Sequence, residues 1–338
     1  MTITTRTRYF VIVSLLVLTI GLGTGLVAYY VGFPIGATQG GPEELTLVPR
    51  EAVLVAYADV HAVMVSEVRQ RILQLLPQGN GQQDFENQTG IKIDTDVDRV
   101  VACLAAARPN GQALPVSGMA IVRGRFNAPK IEALMREHGA RVETYKGKRL
   151  LDADLSPGPA GANSVSLAFI DPGLVAVGST DLIHAAVDLR SGGENVTSNE
   201  SIMNFVRTFE ADNAWVVGEF DALTAQAKLP PAVAGQLSPI TWFAVSGHVN
   251  SGLSGMFQAD ARDEDSANSL RDLVRGVVAL AKLQTGAHPE LRPMADSLQP
   301  GGTGKNVTLA FDVSPQMFDL LVTTLKGLQG ARRPPVSK

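Results

Sequence analysis

The sequence of 338 residues contains a single cysteine, Cys103. One cysteine excludes an intramolecular disulfide, although a chain of this length does not need one to be stable, even in an oxidising compartment. Cys103 lies in the apolar run VVACLAA, which is typical of a buried strand. A reactive thiol needs a partly exposed, electropositive environment. We therefore expect Cys103 to be structural.

Charge is also scarce, since Asp, Glu, Lys and Arg make up 18% of the residues. Arg6 and Arg8 are the only charges before Glu43. Without these two, 27 basic residues face 33 acidic ones, a net charge of −6. This acidic remainder argues against nucleic acid as a partner, because nucleic-acid binding needs a basic face. It equally gives no reason to expect adhesion to an anionic membrane surface.

Phe10–Val31 is a mainly apolar run of 22 residues without a charge. As a helix it would span roughly 33 Å, enough for a hydrocarbon core of about 30 Å. The arginines before it place the N-terminus in the cytoplasm by the positive-inside rule. The sequence therefore predicts cytoplasmic residues 1–9, a single-pass signal-anchor helix over residues 10–33 that binds the lipid bilayer, and a periplasmic body at the cell membrane.

Two further features of the N-terminus bear on this topology. The alternative is a cleaved signal peptide, but its apolar region would normally be shorter, and the candidate site Ile35-Gly36-Ala37 has a bulky first residue. Both interpretations place the body outside the cytoplasm. Gly21 and Gly25 have the spacing of closely packed membrane helices and could support a homodimer.

The body carries signs of an internal repeat. Residues 34–50 are rich in Gly and Pro and are predicted to be a linker. Residues 51–198 and 199–328 are predicted to be two copies of one unit, and residues 329–338 a disordered tail. The matching segments are Ala52–Asp59 with Ala214–Asp221, Ser117–Met119 with Ser254–Met256, and Val165–Phe169 with Val307–Phe311.

The strands of each unit follow one another through tight turns such as Asp171-Pro172-Gly173. Such connections favour an antiparallel sheet, so the predicted fold class is α+β, a transmembrane helix followed by two tandem, duplicated units with helices on one face of each sheet. Asp59 and Asp221 should each cap a helix. Because strand side chains alternate, one set should face the helices in the core: Val165, Leu167, Phe169, Val307, Leu309 and Phe311.

Three sequence patterns resemble functional sites but lack residues or spacings that those sites require. The segment Pro300–Asn306 resembles a phosphate loop, but it lacks the first Gly and the final Ser or Thr, and it leads into a strand. Asp94–Asp98 alternates carboxylates as a calcium loop does, but Arg99 replaces the turn glycine. The five histidines show no metal-ligand spacing. The sequence therefore assigns no catalytic, cofactor-binding or metal residue and no cofactor, although a Ser-His-Asp triad assembled in space stays open.

The segments Phe85–Ile91, Asp96–Val100, Ala120–Phe126 and Tyr145–Lys148 resemble those of an uncharacterised family of bacterial membrane-anchored extracytoplasmic proteins, a domain of unknown function. This resemblance implies an N-terminal anchor and an extracytoplasmic α+β body, and it brings no catalytic residue. The leading prediction is a non-enzymatic, membrane-anchored binding or scaffold module with an unidentified protein partner. The alternatives are a carrier or sensor of a small apolar ligand and an extracytoplasmic hydrolase.

Overall fold

A computed structural model of the chain describes residues 41–73, 86–106, 116–154, 164–209, 212–221, 239–249, 251–286, 289 and 292–317. The chain divides into two compact units. Of the described residues, 41–62 and 86–218 belong to the first unit, and 63–73 and 219–317 to the second.

Twelve strands occur in the described residues, and the strand pairs within each unit are antiparallel. The strands are β1 (Ala52–Ala58), β2 (Val97–Ala106), β3 (Val116–Gly124), β4 (Arg141–Tyr145), β5 (Lys148–Asp154), β6 (Ser164–Asp171), β7 (Leu174–Gly178), β8 (Ala214–Glu219), β9 (Ile240–Val249), β10 (Leu253–Ala261), β11 (Gln299–Gly301) and β12 (Asn306–Val313).

The same residues contain two short 3-10 helices, Glu43–Leu47 and Val196–Ser198. The α-helices are α1 (Val60–Val65), α2 (Glu67–Leu73), α3 (Ile93–Asp96), α4 (Ala128–Glu137), α5 (Thr180–Arg190), α6 (Glu200–Thr208), α7 (Glu264–Gln284) and α8 (Arg292–Ser297).

The sheet of the first unit has the order β8-β1-β2-β3-β7-β6-β5-β4. Most of its strands are rich in Val, Leu and Ala, a near-continuous apolar composition typical of strands that are buried on both faces. The pairing of β8 with β1 places Trp215 opposite Tyr57, and the two ring centroids lie 5.7 Å apart. Such cross-strand pairs stabilise the register of the sheet.

Tight turns join several of these strands as predicted. The β6–β7 turn contains Pro172 and Gly173, and Gly173 has φ +74°. The β4–β5 turn consists of Lys146 and Gly147, with φ +47° and +78°. A two-residue turn of this kind needs positive φ at both central positions.

Helices lie on both faces of the first unit's sheet, so the predicted one-sided arrangement is wrong. Ser166 and Phe169 of β6 point to opposite faces, because strand side chains alternate. The Ser166 hydroxyl lies 2.7 Å from Thr180 Oγ1 of α5, whereas Phe169 lies beside Ala128 and Pro129 of α4. The sequence could not show this, since strands buried on both faces do not alternate apolar with polar residues.

The second unit has a sheet of order β9-β10-β12-β11. Asp263 accepts a hydrogen bond from Ser266 N at 2.8 Å and so starts α7. Val307 of β12 is buried against α7, as predicted, and Arg271 donates to Asn306 O at 2.8 Å. The apolar cluster consists of Ile240, Ala261, Ala267, Leu270 and Val307.

In the described part of the chain, no helix combines the length and the apolar composition that a membrane crossing requires. This finding corrects the predicted fold class and the predicted transmembrane, single-pass signal-anchor helix. Residues 10–33, including Gly21 and Gly25 of the predicted homodimer, lie outside the described residues.

The predicted linker and repeat also need correction. Residues 43–48 of the supposed linker form a 3-10 helix and its C-cap, and Leu45 and Val48 are fully buried. The sequence prediction missed the apolar residues Leu45 and Val48, because the segment around them is rich in Gly and Pro.

The predicted duplication is wrong in its third match. Residues 165–169 lie in β6, two strands from β3, whereas residues 307–311 lie in β12, directly beside β10. Residues 214–218 pair with β1 inside the first unit and do not open the second. Short apolar strands resemble one another because the same residues suit any buried strand.

Candidate functional site

A groove runs along α4 in the first unit, from Ala128 to Arg136. The helix begins at Asn127, whose side chain accepts a hydrogen bond from Lys130 N at 3.1 Å, and Pro129 occupies its first turn. Both residues are favoured at a helix start, since each suits backbone groups that lack an intrahelical partner. This start sets the helix beside β5 and β6.

Two adjoining depressions form the groove, with volumes of about 680 Å3 and about 580 Å3. They share Ala128, Pro129, Lys148 and Phe169, so they are continuous. We call the combined feature the α4 groove. Phe126 lies at one end and Arg149 at the other. An open cleft of this size suits an extended segment better than an enclosed small molecule.

Ion pairs hold the charged side chains of the α4 groove in place. The Glu132 carboxylate contacts Arg149, and it lies 2.9 Å from Arg136. Lys148 donates to Ile170 O and lies 3.5 Å from Asp171 Oδ1. The lining thus carries three basic and two acidic groups beside the aromatic side chains. It offers an apolar surface with a small excess of positive charge.

A buried carboxylate forms a second polar centre in the first unit. The Glu44 side chain is fully buried, contacts Arg123 Nε, and lies 3.8 Å from Arg99 Nε. The two arginines are cross-strand partners on β2 and β3, where like charges repel. The carboxylate between them offsets that repulsion and fixes the 3-10 helix to the sheet. Glu44 Oε2 has no hydrogen-bond partner among the described residues.

A third cluster joins the β4–β5 turn to α5. The Tyr145 ring stacks on His184 at 4.1 Å, and its hydroxyl donates to Asp188 at 3.2 Å. Lys146 Nζ lies 2.7 Å from the same carboxylate. The Lys146 contact holds the pKa of Asp188 below its usual value. These contacts fasten the β4–β5 turn to α5.

The structure places the other sequence candidates in structural roles. Residues 299–301 and 306–313 pair as β11 and β12, so the glycine-rich segment is a hairpin, held to α7 by Arg271 through Gly304 O at 3.0 Å. Asp96 accepts from Lys92 N at 2.8 Å and ends the single turn of α3. Among the described residues, no three His, Cys, Asp or Glu side chains are grouped as metal ligands would be.

Cysteine and histidine also occupy structural positions in the described chain. Cys103 lies buried in β2, as predicted, and burial raises the pKa of its thiol to about 12. His138 Nδ1 lies 2.8 Å from Leu134 O at the end of α4.

Sequence reasoning missed both the α4 groove and the Glu44 centre. The start of α4 is visible in Asn127-Ala128-Pro129, a usual helix-start pattern. The meeting of Glu44 with Arg99 and Arg123 has no local signal, because the three residues are brought together only by strand pairing.

Comparisons with known proteins were made for the whole chain. No protein-family model and no curated protein matches the sequence. A solved structure similar to this chain is crystal form I of TP0453, a treponemal protein, with 8% identity and a TM-score of 0.46, covering 85% of this chain and 99% of that chain. Similarity at this level carries no argument about function, so a functional assignment has to rest on the residues of this chain itself.

Proposed function

We propose that the first unit is a non-enzymatic binding module and that the α4 groove receives an extended peptide segment with apolar and acidic side chains. The observation that carries the proposal is the continuity of two depressions past Phe169 and Lys148. An apolar side chain of the partner would pack against Phe126, Pro129 and Phe169. A carboxylate of the partner would then lie within reach of Lys148 or Arg149.

The contacts that the α4 groove offers determine how tightly such a peptide would bind. Burial of one apolar side chain contributes about 1.5–3 kcal/mol, and a half-exposed ion pair such as one with Arg149 contributes about 0.2–1 kcal/mol. Two apolar side chains and one such pair sum to about 3–7 kcal/mol, of which the cost of association removes about 4 kcal/mol or more, so the expected dissociation constant is millimolar or weaker. The module would therefore bind weakly and reversibly.

We also propose that this module works outside the cytoplasm. The support is the apolar N-terminal run preceded by Arg6 and Arg8, which is typical of exported chains. Protease added to intact spheroplasts should digest residues 50–317. Full protection of these residues would contradict this location.

Fluorescence anisotropy can test the groove with a labelled decapeptide that alternates glutamate and leucine. The full-length chain should bind this probe, and a peptide that alternates lysine and leucine should bind at least tenfold more weakly. Phe169→Ala should weaken binding about tenfold, a loss of about 1.4 kcal/mol.

Matched arginine variants distinguish binding in the α4 groove from nonspecific attraction between charges. Arg149→Gln should weaken binding two- to threefold, whereas Arg275→Gln, at an exposed ion pair of the second unit, should have no effect. Circular dichroism checks that each variant is folded. Equal binding of both peptides, or equal effects of the two arginine variants, would refute the proposed site.

A second candidate function is the carriage of a small apolar ligand by the second unit. Phe257 of β10 is 48% exposed, and its ring centroid lies 5.7 Å from that of Phe311 on β12. An exposed aromatic side chain backed by a half-buried one can contact an acyl chain. A fluorescent fatty acid should then bind, and Phe257→Ser should abolish the signal while leaving peptide binding to the α4 groove unchanged.

A further inference from the structure

Helix α7 of the second unit exposes an apolar stripe. Leu273, Val277, Leu280 and Leu283 are 43%, 59%, 57% and 77% exposed. Their spacing of three or four residues places them along one side of the helix. The core face of the same helix carries Ala267, Leu270 and Val278, which are buried. We call the exposed set the α7 stripe.

The composition of α7 indicates that the stripe has a cover. Residues 276–281, GVVALA, contain no polar side chain. A helix that is apolar all round is normally buried on all sides. The sheet covers only one side here, since Val278 is buried while Val277 and Leu280 are exposed.

The size of the stripe favours a single helix as its cover. Four half-exposed side chains offer on the order of a few hundred Å2, whereas a stable dimer needs about 800 Å2 from each partner. The flanking charges Asp272, Arg275 and Lys282 balance to a single excess positive charge. They provide little attraction to an anionic membrane, which would need a basic cluster.

The chain beyond the last described residue has the right pattern. Ser314 Oγ accepts a hydrogen bond from Met317 N at 3.3 Å, and Pro315 follows it, so a helix begins here. The sequence continues as FDLLVTTLKGL over residues 318–328. Phe318, Leu321, Leu325 and Leu328 recur every three or four positions and would share one side of a helix.

This segment also starts at the right place. Asp312 N, at the end of β12, donates to Ser297 Oγ of α8 at 3.4 Å. The adjacent Asp296 lies 3.9 Å from Lys282 Nζ, near the C-terminal end of α7. The chain therefore leaves β12 beside the Leu283 end of the stripe. The distance along α7 from Leu283 to Leu273 is about 15 Å, which a helix of ten residues spans.

We propose that residues 318–328 form a helix that runs antiparallel to α7 and covers the α7 stripe. The register places Phe318 on Leu283, Leu321 on Leu280 and Leu328 on Leu273. The tether of a few residues holds the segment at a high effective concentration. The proposal concerns the second unit alone and is independent of the α4 groove.

Cysteine pairs in the full-length chain test the proposal. Leu280→Cys with Leu321→Cys should react with a short bis-maleimide to give a cross-link within one chain. Leu280→Cys with Thr323→Cys is the matched control, because residue 323 would point away from α7, and its yield should be at least fivefold lower. Cys103 is buried and stays in both variants.

Three outcomes would overturn the proposal. These are equal yields for the two pairs, no cross-link in either, and a cross-link between two chains through residue 280, which would indicate a second copy as the cover. A second measurement uses a chain that ends at Met317. It should bind an apolar dye several-fold more strongly, and Leu280→Ser in that chain should remove the increase; unchanged dye binding would equally refute the docking.

Discussion

Replacement of Glu44 by Gln is the sharpest perturbation that the first unit offers. The variant keeps the shape of the side chain and one acceptor but removes the charge between Arg99 and Arg123. Both arginines then face each other across β2 and β3 with no carboxylate between them. Loss of one partner from a buried ion pair costs about 3–5 kcal/mol.

The expected loss lies at or below the lower limit of that range. The side chains of Arg99 and Arg123 are 35% and 27% exposed, so water can partly solvate their charges. The amide oxygen of the variant also still accepts one hydrogen bond. We therefore expect Glu44→Gln to lower the free energy of unfolding by about 2–3 kcal/mol. Glu43→Gln is the control, since Glu43 is 68% exposed and should lose less than about 1 kcal/mol.

Urea denaturation followed by tryptophan fluorescence measures this difference. The chain has two tryptophans, Trp215 in the first unit and Trp242 in the second. A Trp242→Phe background makes Trp215 the only reporter, so the transition of the first unit is followed alone. A double-mutant cycle with Arg123→Gln should give a coupling of about 1–3 kcal/mol. If Glu44→Gln costs no more than Glu43→Gln, the carboxylate does not hold the 3-10 helix as described.

Three further predictions use single residues. Cys103 should resist thiol reagents in the native chain and react after denaturation, because burial raises its pKa to about 12; rapid native labelling would contradict this. Burial raises the pKa of Asp59, whose carboxylate accepts from Ala62 N. The charged form therefore costs stability at neutral pH, and this cost falls as pH drops through the raised folded value towards the unfolded one. Asp59→Asn, which keeps the cap, should be more stable at pH 7 by thermal denaturation, with a difference that shrinks towards pH 4. Gly147→Ala, at φ +78°, should destabilise by about 1 kcal/mol in thermal denaturation, because L side chains rarely adopt this backbone conformation; an unchanged stability would refute the assignment of backbone strain.

Local patterns predicted the individual elements well. Asp59 caps α1, and the turn at Gly173 joins two strands, both as predicted. These features depend on residues within a few positions of one another, so their causes are visible in a short stretch of sequence. The apolar strands were also found, since β-branched residues favour them.

Tertiary structure alone decided the arrangement of these elements. Which strands are neighbours depends on contacts between residues far apart in the sequence, and β8 pairs with β1 although it was expected to open a separate unit. Glu44 was likewise predicted to lie in a linker. Only the folded chain shows that it contacts Arg99 and Arg123, which are brought together on paired strands. By itself the sequence determined local helix starts, turns and strand propensity, because these follow from neighbouring residues. The faces of the sheet, the α4 groove and the exposed stripe of α7 needed the folded chain, since burial is a property of the packing of distant segments.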